Sequence, residues 1–365
     1  MQKVKTAYIG LGSNLGDRQK SIRSALEIIT QTPELQVVAA TDPVATRPLG
    51  RREQPDYLNA VAQISTTLDP ETLLKKLNDI ETTLGRDRQQ KWASRSIDLD
   101  LLLYEDQIVD LPDLTIPHPQ MHLRSFVLNA VCSLNDKLIH PRLNERITEL
   151  AARLRGGDFI LNPDVPQLVA VAGNIGVGKT TLTEKLAEVL GCKPIFEAYD
   201  KNPFLPDVYA GKTELALDSQ LYFLTSRLEQ LGLGVLESGK IAVSDYIFEK
   251  ELIYARQLLT ERQLILYEKI FQLLSAKVIG PVVVIYLHDL PTNCLERIKK
   301  RNRPYEQTIQ LDLLHQLDCQ YRRLFQNWKS SPVITLDMSQ FDAKRNDDVK
   351  NLTNQVNSYT AKSWK

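Results

Sequence analysis

The most constraining feature of this chain is residues 168–190, where the unbroken apolar run Leu168-Val169-Ala170-Val171-Ala172 leads straight into Gly173-Asn174-Ile175-Gly176-Val177-Gly178-Lys179-Thr180 and then into a helical pattern. The loop fits G-x-x-x-x-G-K-[ST] between a strand and a helix. Glycines let the backbone curl so that its N–H groups converge on phosphate oxygens, Lys179 adds a point charge, and Thr180 offers a hydroxyl to magnesium. Gly173, Gly176, Gly178, Lys179, Thr180 and Thr181 are therefore candidate nucleotide-binding residues. Leu182, Leu186, Val189 and Leu190 are expected on one face of the helix, closed by Gly191, with its positive end toward the anion. Further apolar runs at 195–196, 241–243, 282–287 and 333–336, separated by helical segments, predict an α/β domain with a five-stranded parallel sheet.

Gly156-Gly157-Asp158, followed by Pro163 and Pro166, interrupts the pattern and divides the chain into expected domains 1–160 and 161–365. No fixed-period repeat relates them. The first alternates short strands (6–9, 37–40, 58–64, 99–104) with helical stretches such as 71–83, where Leu73, Leu74, Leu77, Ile80 and Leu84 keep helical spacing, giving an α+β class. Lysine plus arginine number 45 and aspartate plus glutamate 45, so the net charge is zero. Without a global basic field, neither nucleic acid nor a membrane surface is an expected partner, and anion binding must be local. Cys132, Cys192, Cys294 and Cys319 match no metal or redox spacing and suit a reducing compartment. The chain reaches Ala7-Tyr8-Ile9 without a signal-peptide pattern and has no apolar run of membrane-spanning length, so a cytoplasmic location is expected.

In the first domain, Gly10-Leu11-Gly12-Ser13-Asn14-Leu15-Gly16 fails the G-x-G-x-x-G spacing at Leu15 and reads as a strand-to-helix turn. Arg95-Ser96-Ile97-Asp98-Leu99-Asp100-Leu101 is more informative. On a strand, Asp98 and Asp100 point to one side while Ile97, Leu99 and Leu101 face the core. Such a carboxylate pair is either a solvated strand face or a site for magnesium shared with substrate phosphates. Arg86, Arg88, Lys91 and Arg95 lie just upstream, able to meet a polyphosphate.

In the second domain, Glu197 and Asp245 end the second and third strands, where ligands of open parallel sheets bind. They are candidates for a base on an attacking hydroxyl and a magnesium partner, or else cap and rim residues. Arg297, Lys300 and Arg301 share a helical face that Pro304 is expected to stop, giving either a solvated face or a lid over phosphates. With Phe196-Glu197, Asn202-Pro203-Phe204-Leu205, Tyr209, residues 220–227, Ser244-Asp245 and 297–306 in order, residues 168–352 resemble the deoxynucleoside kinase family. The resemblance implies Glu197 as base on the 5′-hydroxyl, Tyr209 and Glu306 on the sugar, Gln220 and Arg227 toward the nucleobase, and Arg297, Arg301 and Arg303 on phosphates. It also implies one magnesium held by Thr180 and Asp245, a purine substrate such as deoxyadenosine, and a homodimer through this domain. Tyr246 stands where the family usually has arginine.

Residues 10–14, Thr46-Arg47-Pro48-Leu49-Gly50, Gln54-Pro55-Asp56-Tyr57-Leu58-Asn59, 81–86, 92–100, Pro117-His118 and Arg124-Ser125-Phe126 are similar to 6-hydroxymethyl-dihydropterin pyrophosphokinases of folate biosynthesis, across most of residues 4–155. That resemblance implies a ferredoxin-like fold, with Asp98 and Asp100 on two magnesium ions and Arg86, Arg95, His118 and Arg124 on ATP. Tyr57 and Phe126 would sandwich the pterin, whose polar edge Thr46, Leu49 and Asn59 would read. Glu81, Lys91 and Trp92 would belong to the nucleotide and lid region. Arg47 replaces a common proline, and Asp113 sits where a basic residue is frequent. Together the resemblances imply a bifunctional ATP-dependent enzyme, or one with a catalytically silent domain that senses nucleotide or pterin.

Overall fold

The period-two pattern around the two aspartates becomes the edge strand of an antiparallel sheet. In the computed structural model, which describes residues 3–49, 54–85 and 96–361, the order is β1 (Lys5–Ser13), α1 (Arg18–Gln31), β2 (Leu35–Ala40), β3 (Val44–Thr46), β4 (Tyr57–Thr66), α2 (Pro70–Thr83) and β5 (Asp98–Tyr104). The sheet runs β2-β4-β1-β5, with β3 also paired to β4. Asp17 and Asp69 cap α1 and α2 by accepting from Lys20 N and Thr72 N, both at 3.0 Å. Ile22, Ala25 and Ile29 of α1 and Leu73, Leu77 and Ile80 of α2 join Ile97, Leu99 and Leu101 in one core. This packing on one side leaves Asp98 and Asp100 on the other.

Two short hairpins follow, β6 (Val109–Leu111) with β7 (Leu114–Ile116) and β8 (Ile139–His140) with β9 (Glu145–Arg146), together with α3 (Ser125–Leu134) and α4 (Ile147–Leu154). The expected strand-to-helix turn lies at residues 14–17, between β1 and α1, with Gly16 left-handed at φ 62°, while Gly10 and Gly12 belong to the strand before it and pair with Val61 and Asn59 of β4. A Cβ at Gly12 would stand 2.9 Å from Asn59 Oδ1, so its bareness serves close approach within the sheet.

The chain divides into two compact units, Met1–Ile160 and Leu161–Lys365. The second contains β10 (Gln167–Gly173), α5 (Lys179–Leu190), β11 (Pro194–Ile195), α6 (Leu205–Tyr209), α7 (Ala216–Leu231), β12 (Ile241–Ser244), α8 (Lys250–Leu258), α9 (Glu261–Ser275), β13 (Val283–His288), α10 (Pro291–Arg301), α11 (Leu311–Gln326), β14 (Val333–Asp337) and α12 (Asn346–Ser358). Its five strands are parallel in the order β11-β12-β10-β13-β14. Every residue of β10 is buried, as a strand covered on both faces requires. On α5 the buried stripe is Leu182, Thr183, Leu186 and Ala187, whereas Val189 is 55% exposed. The apolar positions alone put the stripe too far round, because a small or hydroxyl residue can also pack at a sheet. α10 ends at left-handed Asn302 (φ 56°), two residues before Pro304. Among the described residues no helix is long and apolar enough to cross a membrane.

In the first unit His122 and His140 are buried with rings 6.1 Å apart, and His140 Nδ1 accepts from Leu143 N at 3.3 Å. Burial, then the neighbouring His122 and Arg142, holds the His140 imidazole down at about 3. Below the unfolded value of about 6.5, the unfolded chain binds a proton that the folded chain refuses, so stability falls with acidification by about 1.4 kcal/mol per pH unit until the folded value is reached. Urea denaturation of the full chain, followed by hydrogen exchange in β1 and β4, should show this loss between pH 6 and 4. His140→Gln should flatten it; an unchanged slope would contradict the assignment.

Candidate active sites

The exposed face of the first sheet, with the loops beyond it, encloses a cavity of about 630 Å³, within the range of small-molecule sites. Asp98 and Asp100 border it together, opposite the core face of β5. So do Thr46, Leu49, Tyr57, Asn59, His118, Arg124 and Phe126. Asn59 Nδ2 donates to Thr46 Oγ1 at 2.7 Å, tying β4 to β3. Tyr57 Oη donates to Gln54 Oε1 at 3.0 Å, and Asn14 Nδ2 reaches the same oxygen at 3.3 Å. His118 is fixed by its backbone N–H, which donates to Leu102 O at 2.9 Å, and its ring Nδ1 accepts from Gln120 N at 3.3 Å. Burial lowers its imidazole below the usual value despite the opposing charge of Asp100. Asp158 Oδ1 accepts from Ser125 N at 2.6 Å, which places Phe126 in the first turn of α3.

Glu81, expected at the nucleotide and lid region, has a clear structural contact. It is buried at the end of α2, does not border the cavity, and accepts from Leu99 N at 2.7 Å between the two aspartates. Arg86, Lys91, Trp92 and Arg95 lie outside the described residues. Gln54 and Gln120 border the cavity although neither was singled out as a site residue; both are neutral amides with no distinctive spacing.

The second unit has a narrow cleft of about 100 Å³ at the carboxyl ends of its strands. Gly176, in the left-handed region at φ 75°, packs so closely that a Cβ would lie 2.5 Å from Cys294 O. Lys179 Nζ donates to Asn174 O at 2.8 Å; burial, and then Lys250, pulls the ammonium down to about 8. Asp245 links three elements, since Oδ2 accepts from Thr180 Oγ1 and Oδ1 from Glu197 N, each at 2.9 Å. Burial raises its carboxyl, and the nearby Glu197 charge adds to the rise.

Lys179, Thr180, Glu197, Tyr209, Gln220, Arg227, Asp245, Arg301, Arg303 and Glu306 all border this cleft. Glu197 accepts from Arg227 and, at 2.6 Å, from Lys250 Nζ. Burial alone would raise its carboxyl; Lys250 and Arg227 overcome that and bring it to about 2. Arg227 also pairs with Glu251, with the Phe223 and Tyr246 ring centroids 5.2 and 5.3 Å from its guanidinium carbon. Arg301 and Arg303 both pair with Glu306, and Arg303 lies 4.2 Å over the Tyr199 ring.

Arg297, Gly173, Gly178 and Thr181 are not among the residues bordering the cleft. Arg297 pairs with Asp289 and approaches Gly176 O at 3.5 Å, so its basic helix face is already partly neutralised. Lys250, Glu251 and Tyr254, absent from the motif reading, border the cleft.

Residues 8–136 match the family model described as 7,8-dihydro-6-hydroxymethylpterin-pyrophosphokinase (HPPK), and residues 169–360 match Deoxynucleoside kinase. A Haemophilus influenzae 2-amino-4-hydroxy-6-hydroxymethyldihydropteridine pyrophosphokinase is 42% identical over 159 residues, 43% of this chain and 99% of that protein. A Pseudomonas aeruginosa protein of the same description is 39% identical over 138 residues, 38% of this chain and 85% of that protein. A solved structure of deoxyadenosine kinase from M. mycoides is 24% identical and covers 53% of this chain and 99% of its own, with a TM-score of 0.46. The chain is thus built from two kinase-type domains. It belongs to the HPPK family through the first and to the deoxynucleoside kinase family through the second.

Glu81 acts as a buried strut behind the aspartate pair. Glu81→Leu strands the Leu99 N–H and should destabilise the chain by about 1–3 kcal/mol. Glu81→Gln keeps an acceptor and should cost less than half as much. Urea denaturation of both variants checks the order, which equal losses would contradict.

Proposed function

We propose that the chain is a bifunctional ATP-dependent enzyme that pyrophosphorylates 6-hydroxymethyl-7,8-dihydropterin in its first domain and phosphorylates the 5′-hydroxyl of a deoxynucleoside in its second. The observation that carries this reading is the pair of separate clefts, one bordered by two aspartates on a single strand face and the other by a glycine-rich loop with lysine and threonine. The order β2-β4-β1-β5, with α1 and α2 on one face, supports a ferredoxin-like fold for the first domain. The left-handed glycines around Lys179 support a phosphate-binding loop in the second.

In the first cleft, Tyr57 and Phe126 would hold the flat pterin and Asn59 with Thr46 its polar edge. Among the described residues no group of three or more metal-ligating side chains occurs. The hard oxygens of Asp98 and Asp100, both at the cavity, suit magnesium, and these two residues would hold the two ions of this reading. Bound there, magnesium would neutralise the triphosphate and the charge developing on it. The hydroxymethyl oxygen attacks the β-phosphorus and yields its proton to water, the bond from the β-phosphorus to the oxygen it shares with the α-phosphate breaks, and AMP leaves with that oxygen. His118, kept neutral by burial, and Arg124 border the same cavity and would face the triphosphate, with positioning supplying most of the rate.

In the second cleft, Lys179 and the loop amides take the triphosphate, while Thr180 and Asp245 fit one magnesium. Glu197 accepts a hydrogen bond from the 5′-hydroxyl, aims it at the γ-phosphorus and receives its proton as ADP departs. The cleft of about 100 Å³ is below the usual range for ligands, and in this reading substrate entry would part the Glu306 pairs and free Arg301 and Arg303 for phosphate. Tyr209 and Glu306 then hold the sugar, and Gln220 with Arg227 faces the base, with deoxyadenosine favoured. This reading includes a homodimer through the second domain, which would cover the exposed Leu266 and Leu273 of α9.

Assaying AMP and ADP release from the purified chain with magnesium, ATP, the pterin and each of the four deoxynucleosides tests the whole reading. Pterin-dependent AMP and nucleoside-dependent ADP are expected; binding without turnover at either site would identify that domain as a sensor. Asp98→Ala should lower pterin turnover by about a thousandfold with nucleoside turnover intact. Lys179→Ala should do the reverse. Loss of both activities in either variant would contradict independent sites.

A further inference from the structure

Lys250, the first residue of α8, is only 5% exposed and has no role in the motifs that identify the domain. Its Nζ donates to Glu197 Oε2 at 2.6 Å and lies 5.0 Å from the centroid of the Tyr254 ring. Arg227 holds the other oxygen, Oε1, but is shared with the buried Glu251. Two cations from two helices thus grip separate oxygens, while the Glu197 N–H is anchored on Asp245. Clamped at both carboxylate oxygens and at its backbone, Glu197 has little rotational freedom.

The position directly after Asp245 cannot supply this grip. Tyr246 is fully buried and donates its hydroxyl to Gln230, which itself donates to Phe196 O at 3.0 Å. Its ring instead lies beside the Arg227 guanidinium. Resting on the reading of this domain as a nucleoside kinase, we propose that Lys250 is a positioning residue, the cation that fixes the Glu197 carboxylate toward the acceptor hydroxyl in place of one at position 246. Without it, Glu197 is left to Arg227 alone and turns toward the Arg227–Glu251 pair, away from the hydroxyl.

A merely structural lysine would behave differently. Replacing one member of a buried charge pair affects folding, but an unbranched apolar side chain of similar length would preserve packing around a structural stem. Lys250→Met should therefore lower nucleoside-kinase kcat by about 100-fold while KM for ATP and for the nucleoside stays within about threefold. Lys250→Arg, which keeps the charge, should recover kcat to within about tenfold of the parent chain. Because the Met variant could fold poorly, Lys250→Gln provides a polar comparison, and the expected order is Arg above Gln. Steady-state kinetics on the full chain read all four proteins. Lys250→Met with near-normal kcat, a loss confined to KM, or Gln equal to or better than Arg would overturn the inference. A parent chain that phosphorylates none of the four deoxynucleosides would overturn the kinase reading itself, and the positioning role with it.

Discussion

Charge compensation is the constraint on which both clefts depend. A chain with 45 basic and 45 acidic side chains has no net field to draw a polyanion, so cations must be concentrated locally and kept stable before a ligand arrives. In the second domain this is done by pairing. Glu197 lies between Lys250 and Arg227, Glu306 holds Arg301 and Arg303, and Asp289 holds Arg297. Buried charges are tolerated when paired and are costly when one partner is removed. The Glu197 and Glu306 pairs border the cleft, and in the proposed reaction substrate phosphate and sugar would take the place of these internal carboxylates.

The first domain meets the constraint with the opposite sign. Asp98 and Asp100 concentrate negative charge on one strand face, a pair of hard oxygen donors that the proposed reaction would assign to magnesium. Glu81 secures the strand between them through Leu99 N. Three carboxylates close in space consequently have different tasks: two face the cavity, and the third, buried, holds the backbone.

Features whose physics is local in sequence were legible. The glycine-rich loop needs particular backbone angles at fixed spacing, and the aspartate pair needs only the two-residue period of a strand. The strands of the parallel sheet were visible as continuous apolar runs because both faces are buried. Pairings between distant elements were not legible. Nothing near Lys250 announces Glu197, 53 residues away, or near Glu251 announces Arg227. The stripe of α5 shifted toward Thr183 and Ala187 because packing at a sheet accepts residues that hydropathy does not mark. Where the strand ends and the turn begins within residues 10–16 was not legible, because close approach across a sheet and freedom in a turn both select glycine.

The central claim is that one chain carries two independent places for a nucleoside triphosphate. Isothermal titration of the full chain with a non-hydrolysable ATP analogue and magnesium, in the presence of hydroxymethylpterin, measures this directly. Two equivalents per chain are predicted, falling to one when Lys179 is replaced by alanine. A single equivalent in the parent chain, with hydroxymethylpterin present, would contradict it.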